Sequence, residues 1–124
     1  MVVDKVLNAL DSENLVMHVV WTPVLQNDDF PSAIKAQFEI KDSRARHYWD
    51  GEGRLGTAYG KLLPLPRGRT FAWDIYFAFD PGISWDDRPP GPSEWSHQLG
   101  RDERHLGDGT RLHDIVADLL KQAE

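Results

Sequence analysis

The residues of this chain that are best suited to chemistry are tryptophans and carboxylates, because no thiol is present. The 124 residues include five tryptophans and no cysteine. Tryptophan faces attract cations, and carboxylates accept hydrogen bonds from cations and hydroxyl groups. Together they suggest a site for a cationic or polyhydroxy ligand. We assign eight residues to this predicted site: Trp21, Gln26, Asp28, Asp29, Trp49, Asp50, Trp73 and Asp74.

The same side chains also have a purely structural interpretation. Buried tryptophans commonly close the edge of a core, and aspartates commonly cap helices and turns. Residue types alone favour this structural interpretation over the ligand site. Loss of ligand binding in a folded Asp50→Ala variant would support the ligand site, whereas unchanged binding would argue against it.

A divalent metal site or a small catalytic site is the alternative use of the acidic residues. The loop 26–29, together with His47 and Asp50, offers oxygen and nitrogen ligands. Their spacing matches no specific metal motif, and acidic loop pairs are usually solvated. We therefore predict no cofactor, and we expect a binding module more than an enzyme.

The histidines and serines give no catalytic motif. Ser96 and His97 are sequence neighbours, so on a strand they point to opposite faces and cannot act together on one substrate. No histidine has a nearby acid in a recognised order. His18 lies in an apolar stretch and is predicted to be a core residue. The absence of cysteine excludes thiol–disulfide chemistry outright.

Composition predicts one globular domain that spans residues 1–124. Hydrophobic residues make up 40% and charged residues 27% of the chain, which is ordinary for a globular protein. The net charge of -6 disfavours a nucleic-acid partner, and no apolar run has the roughly 20 residues of a membrane span. We expect a soluble, cytoplasmic protein, although a leader removed beforehand would leave no trace in this sequence.

Hydrophobic periodicity places these residues on helices and strands. Apolar residues at helical spacing predict helices, and continuous or alternating apolar runs predict strands. The run at 15–21 is apolar on both faces, as in a strand that is covered on both sides. The predicted helices cover 2–10, 32–40, 55–63 and 110–122, and the predicted strands cover 15–21, 46–49, 71–79, 83–85 and 95–99.

Topology predicts that the candidate residues meet at one edge of the sheet. Parallel strands joined by a helical crossover end at the same edge, and the third strand begins there. This rule brings Trp21, Trp49 and Trp73 together with Asp50 and Asp74. The loop 23–29 follows the first strand and lies at the same edge.

The order of elements resembles the thioredoxin-like family over about residues 14–122. The similar pieces are HVVW followed by a loop and a helix, the stretch RHYWDGEGRLGTAYGKL, and the final strand, turn, strand and helix. The resemblance implies an α/β fold with a central mixed sheet, in which strands 1 and 2 are parallel and the C-terminal hairpin is antiparallel, with helices on its faces. The chain is also similar to uncharacterised bacterial proteins that combine Trp-Asp, Ala-Trp-Asp and Pro-Gly-x-x-Trp.

The chain departs from that family at both of its hallmark positions. TPVLQNDDF stands where the family has its two cysteines, and Arg69-Thr70 stands where it has a proline. Neither functional residue can therefore be transferred. The resemblance then implies a non-redox binding or interaction module with an unknown protein or small-molecule partner.

A glycine pattern at residues 51–56 matches the dinucleotide-binding fingerprint. GEGRLG follows a predicted strand and opens a predicted helix. Asp50 and Glu52 would place negative charge beside a pyrophosphate, which opposes binding there. We interpret these glycines as a tight turn into the helix.

The proline-rich stretch 86–93 is the other distinctive segment. Its three prolines and one glycine exclude a regular strand or helix. Such a stretch either presents a stiff strip to a partner or covers a sheet edge, and we favour the edge cover.

Overall fold

The fold is mixed α/β, with four α-helices and four short strands in the part of the chain that the structure describes. The computed structural model describes residues 2–23, 30–37, 40–99 and 102–123. No helix in these ranges is long and apolar enough to cross a membrane. The elements are α1 Val2–Ala9, β1 Met17–Trp21, α2 Phe30–Gln37, β2 Ala45–Trp49, α3 Arg54–Leu62, a 3-10 turn Pro66–Gly68, β3 Ile75–Ala78, β4 Glu94–His97 and α4 Thr110–Ala123.

The strands pair as two separate two-stranded sheets within the described ranges, where the sequence predicted one mixed sheet. β1 and β2 are parallel, and β3 and β4 are antiparallel, so both predicted pairing directions are confirmed. The split has a local cause. The Ala72 backbone N–H donates to the Gly56 carbonyl of α3 at 2.9 Å, so the chain before β3 is bonded to a helix.

Only one face of the parallel sheet contributes to the core. Side chains along β1 alternate between half-buried and exposed, so the prediction of a strand covered on both sides is wrong. Its inner face belongs to a cluster of Leu7, Ile40, Leu15, Met17, Val19, Trp21, Ala45 and Tyr76. His18 lies on the exposed face, with its Nδ1 3.0 Å from the Tyr48 hydroxyl oxygen, so the prediction of a core histidine is also wrong.

A second apolar cluster joins the two terminal helices to the antiparallel sheet. It contains Val6, Leu10, Leu106, Leu112, Val116 and Tyr76. Tyr76 contacts both clusters, so this one side chain of β3 links the packing of the two sheets.

The strand predicted over 71–79 is much shorter in the structure. β3 covers Ile75–Ala78 and pairs with β4, whereas residues 83–85, the predicted return strand, form no strand. Asp74 has a φ of 52°, which ends the extended conformation on the N-terminal side. The return therefore comes only after the proline-rich stretch, whose residues 86–88 are exposed.

Helix α3 lies directly against the segment that precedes β3. A Cβ atom on Gly60 would lie 1.8 Å from the Thr70 carbonyl oxygen, and one on Gly56 would lie 2.5 Å from Cζ of Phe71. Only glycine allows this close approach. The same helix carries the fully buried Tyr59, whose hydroxyl donates to the Pro90 carbonyl at 2.8 Å.

Arg44 ties the start of β2 to the end of α1. Its guanidinium donates to the carbonyls of Leu7, Leu10 and Ser12 and to both carboxylate oxygens of Asp42. Carbonyls at a helix C-terminus have no partner within the helix, so this arginine satisfies them. The bonds fix α1 on the parallel sheet.

Candidate functional site

One cavity collects most of the predicted ligand residues, and we call it the recess. Its volume is about 1290 Å³, and residues of β1, β3, α3 and α4 line it. Trp21, Trp49, Asp50, Trp73 and Asp74 all belong to its lining. The other three predicted residues, Gln26, Asp28 and Asp29, lie outside the described residues.

Trp21 and Trp49 are neighbours at the C-terminal ends of the parallel strands. They face each other in the strand register, as the topology predicted. The Trp21 indole Nε1 donates to Nδ1 of His47 at 3.0 Å, and the two rings are stacked with 11° between their planes. The Trp49 indole covers Gly51, where a Cβ atom would lie 2.9 Å from Nε1. Both indoles are half-buried, with part of each ring accessible.

The carboxylate of Asp50 is occupied by the N-terminus of α3. Its two oxygens accept the backbone N–H groups of Arg54 at 3.0 Å and of Leu55 at 2.9 Å. Its own backbone N–H donates to the Trp21 carbonyl at 2.8 Å. The first N–H groups of a helix need acceptors, and a carboxylate is well suited to them. Asp50 therefore has the helix-capping geometry of the structural interpretation.

The glycine pattern has the same explanation. Gly53 has a φ of 66°, which makes the turn into α3, and a Cβ atom on Gly56 would clash with Phe71. A phosphate bound at this helix N-terminus would need the N–H groups that Asp50 already accepts. The geometry therefore disfavours the dinucleotide interpretation and agrees with a tight turn.

Asp74 differs from Asp50 in having no partner for its carboxylate. No hydrogen bond or ion pair to that carboxylate forms among the described residues, while its carbonyl accepts the Gln98 N–H at 3.0 Å. The residue is exposed, yet partial burial of the carboxyl group raises its pKa. Burial, and then the charge of Asp74, raises the pKa of Tyr76, whose hydroxyl donates to Oε1 of Gln98 at 3.0 Å.

The charged side chains of the recess have one sign. The carboxylates of Asp50, Asp74 and Asp80 line it, and no lysine or arginine of the described ranges does. A concave site with like charges focuses its potential on the interior. The recess therefore presents a negative field to a ligand.

The lining of the recess also contains a wall of aromatic rings that the sequence analysis did not assign to a site. Tyr59 lies 4.3 Å from Phe77 between ring centroids, and Phe79 lies 5.5 Å from Trp85. All four line the recess. The prediction of a strand over 83–85 hid this wall, because Trp85 folds back on Phe79 without pairing to β3. The run of aromatics at 71–79 was the available signal.

The metal alternative finds no cluster in the part of the chain that the structure describes. No three His, Asp or Glu side chains there are close enough to share an ion. His47 accepts the Trp21 indole N–H, and both Asp50 oxygens accept backbone N–H groups. The acidic pair of the loop 26–29 lies outside the described residues.

One histidine–aspartate pair escaped the sequence analysis. His97 is fully buried, with Nε2 2.8 Å from Asp102 Oδ1, and its Nδ1 accepts the Leu99 N–H at 3.1 Å. The N–H of Arg104 and, more weakly, His97 lower the pKa of Asp102. Both ring nitrogens are therefore engaged, with Asp102 and with the Leu99 N–H, and neither is available as a base. Their spacing follows no recognised catalytic order, so the sequence analysis did not anticipate this pair.

Comparison of the chain with protein-family models, with curated proteins and with solved structures gives no significant match. The similarity to the thioredoxin-like family therefore stays a prediction from the order of elements.

Proposed function

We propose that this protein is a non-redox binding module whose recess takes a small molecule with an apolar, aromatic body. The observation that supports this most is the recess of about 1290 Å³, whose lining includes both the tryptophans and an aromatic wall. As a finer part of the same proposal, we interpret the domain as thioredoxin-like. A parallel β1–β2 pair, an antiparallel β3–β4 pair and a closing helix support that interpretation.

The lining of the recess suits an apolar ligand. Ligand sites are typically concave, mostly apolar and supplied with a few polar groups, with volumes of roughly 300–1,000 Å³. The recess exceeds that range, so a small molecule can enter without displacing side chains. Aromatic contacts add about 0.5–1.5 kcal/mol each to the gain from burying surface.

Binding is better supported than catalysis because the groups that could act together with Asp74 as acid or base have other partners. Asp50 caps α3, His47 accepts the Trp21 indole N–H, and His97 is engaged at both nitrogens. Acid–base catalysis needs a group that reaches the substrate. The full chain contains no cysteine, so thiol chemistry is absent as well.

Titration with a neutral aromatic probe tests this proposal. We expect 2-phenylethanol to produce a saturable change in tryptophan fluorescence, because Trp21, Trp49 and Trp73 line the recess. Trp73→Ala should weaken binding about tenfold in isothermal titration calorimetry, since a lost aromatic contact of this size is worth about 1.4 kcal/mol. The matched control is Leu62→Ala, which truncates an exposed residue outside the recess. A flat titration of the wild type would contradict the proposal.

A further inference from the structure

We infer that the ligand of the recess carries a positively charged amine or ammonium group, and that the carboxylate of Asp74 is its counter-ion. This inference rests on the proposed function, because it names the class of ligand for the same recess. Four observations lead to it: a carboxylate to which no described residue donates, tryptophans in the same lining, the sign of the lining charges and polar groups that already have partners.

The first observation is that the Asp74 carboxylate has no partner among the described residues. Asp50 accepts two N–H groups, whereas no described residue donates to the Asp74 side chain. A carboxylate that is partly removed from water and unpaired gains more from a cation than one that is already hydrogen-bonded. The raised pKa of Asp74 has the same physical origin.

The second observation is that tryptophans belong to the same lining as Asp74. Trp73 precedes Asp74 in the chain, and Trp21 and Trp49 line the same recess. A cation over a tryptophan face gains about 0.5–2 kcal/mol, depending on how well water is excluded. The lining of the recess therefore offers a cation both a counter-ion and aromatic faces.

The third and fourth observations select an organic cation over a polyhydroxy ligand. The lining holds three carboxylates and no lysine or arginine of the described ranges, so its field favours positive charge. A sugar would need several free donors and acceptors. Within the lining, the Tyr76 hydroxyl already donates to Gln98 and the Thr22 hydroxyl to the Asp50 carbonyl.

Asp80 is the competing counter-ion, because it also lines the recess, beyond the other end of β3. The chain that follows it, residues 81–88, is exposed, so a cation held there would keep more of its water. Asp74 is next to a half-buried tryptophan, and its backbone is fixed by the bond from Gln98. This contrast makes Asp80→Asn the matched control for Asp74→Asn.

The experiment compares three probes of nearly equal size: 2-phenylethylamine, 2-phenylethanol and 3-phenylpropionate. We expect the amine to bind roughly tenfold more tightly than the alcohol in calorimetric titrations, and the acid to bind most weakly. Asp74→Asn should weaken amine binding about tenfold and leave alcohol binding within about twofold. Asparagine tolerates positive φ as well as aspartate does, so the variant should fold, and circular dichroism checks this.

Each outcome separates the two proposals. Equal affinity for the amine and the alcohol overturns the cation inference and leaves the proposed function standing. Loss of amine preference in Asp80→Asn, or its survival in Asp74→Asn, overturns the assignment to Asp74. No binding of any probe overturns the proposed function and the inference with it.

Discussion

The dipeptide Trp-Asp occurs twice at the recess, and its two copies have opposite surroundings. In Trp49-Asp50, both carboxylate oxygens accept N–H groups of α3. In Trp73-Asp74, the described residues donate nothing to the carboxylate, and the aspartate has a φ of 52°. Both copies line the same cavity, so the difference lies in the backbone that follows each one.

The comparison shows that the next element decides what an aspartate does. Asp50 precedes a helix, whose first N–H groups have no intrahelical acceptor and bind a carboxylate. Asp74 precedes a strand, whose backbone pairs with β4 in an antiparallel register. The carboxylate of Asp50 is therefore bonded to the fold, while no described residue donates to that of Asp74.

The largest expected effect on stability comes from Gly60→Ala. This substitution disrupts the contact between α3 and the segment that leads to Trp73-Asp74. The new Cβ would lie 1.8 Å from the Thr70 carbonyl oxygen, so the helix or the segment must move. We expect a loss of about 3 kcal/mol in the free energy of unfolding, measured by urea denaturation.

The control for this variant is Gly91→Ala, because a Cβ atom there meets nothing within 4 Å. Its stability should change by less than about 0.5 kcal/mol. If the two variants were equally stable, α3 would not be seated on residues 70–72, and the two Trp-Asp copies would not share one rigid frame.

The next effect is that of Asp50→Ala on stability. Removal of the carboxylate leaves the Arg54 and Leu55 N–H groups without their acceptor. We expect a loss of about 1–2 kcal/mol in thermal or urea unfolding, with the amine preference of the recess retained. Asp118→Ala, on the exposed side of α4, should be nearly neutral. A stable Asp50→Ala variant that no longer binds the amine would reverse the roles given to the two aspartates.

A smaller effect is the change in stability at acid pH, which distinguishes carboxylates that have a partner from those that have none. Hydrogen bonds from Arg44 lower the pKa of Asp42 from 3.8 to about 2. A lowered pKa means that this carboxylate stabilises the fold above about pH 4 and that its contribution is lost as the pH falls to about 2. The stability difference between the wild type and Asp42→Asn should shrink across that window. A difference that does not vary with pH would contradict the pairing.

The smallest effect is the contribution of Asp74 to the free energy of unfolding, whose pH dependence has the opposite sign to that of Asp42. Burial raises its pKa, so the folded state favours the protonated form, and the charged form costs stability as the pH rises through the folded pKa. The wild type and Asp74→Asn should be equally stable below about pH 3.8, and Asp74→Asn should be slightly more stable at neutral pH. If the wild type were the more stable at neutral pH, Asp74 would have a partner in the free protein.

Local patterns in the sequence predicted the helices, the strands and their pairing directions better than they predicted how the strands are grouped into sheets. The parallel crossover was enough to predict that Trp21 and Trp49 lie at the same edge of the sheet, where the structure pairs them. The apolar run that contains His18 was misinterpreted because an edge strand with one open face can also be apolar on both sides. Nothing local showed that Ala72 bonds to Gly56 and shortens β3, since that bond depends on how closely α3 approaches.

The roles within the site were predictable only in part. The topology brought Trp49, Asp50, Trp73 and Asp74 to one cavity, as expected. Whether an aspartate is hydrogen-bonded depends on nearby backbone N–H donors. Those donors can be identified only when the first residue of the helix is known. The His97–Asp102 pair was not predictable, because a separation of five residues does not specify a side-chain contact.

The hydrogen bond from the Tyr59 hydroxyl to the Pro90 carbonyl makes the absorbance of Tyr59 a natural probe of the proline-rich stretch. Burial raises the pKa of Tyr59 to about 12 from an ordinary value of 10.0. Tyrosinate absorbs at longer wavelength than tyrosine, so ionisation changes the absorbance. We expect this change for Tyr59 at a pH well above that at which a solvated phenol ionises. Any event that lifts the proline-rich loop from α3 would move that change back towards pH 10. An alkaline absorbance titration can therefore follow the loop without a label.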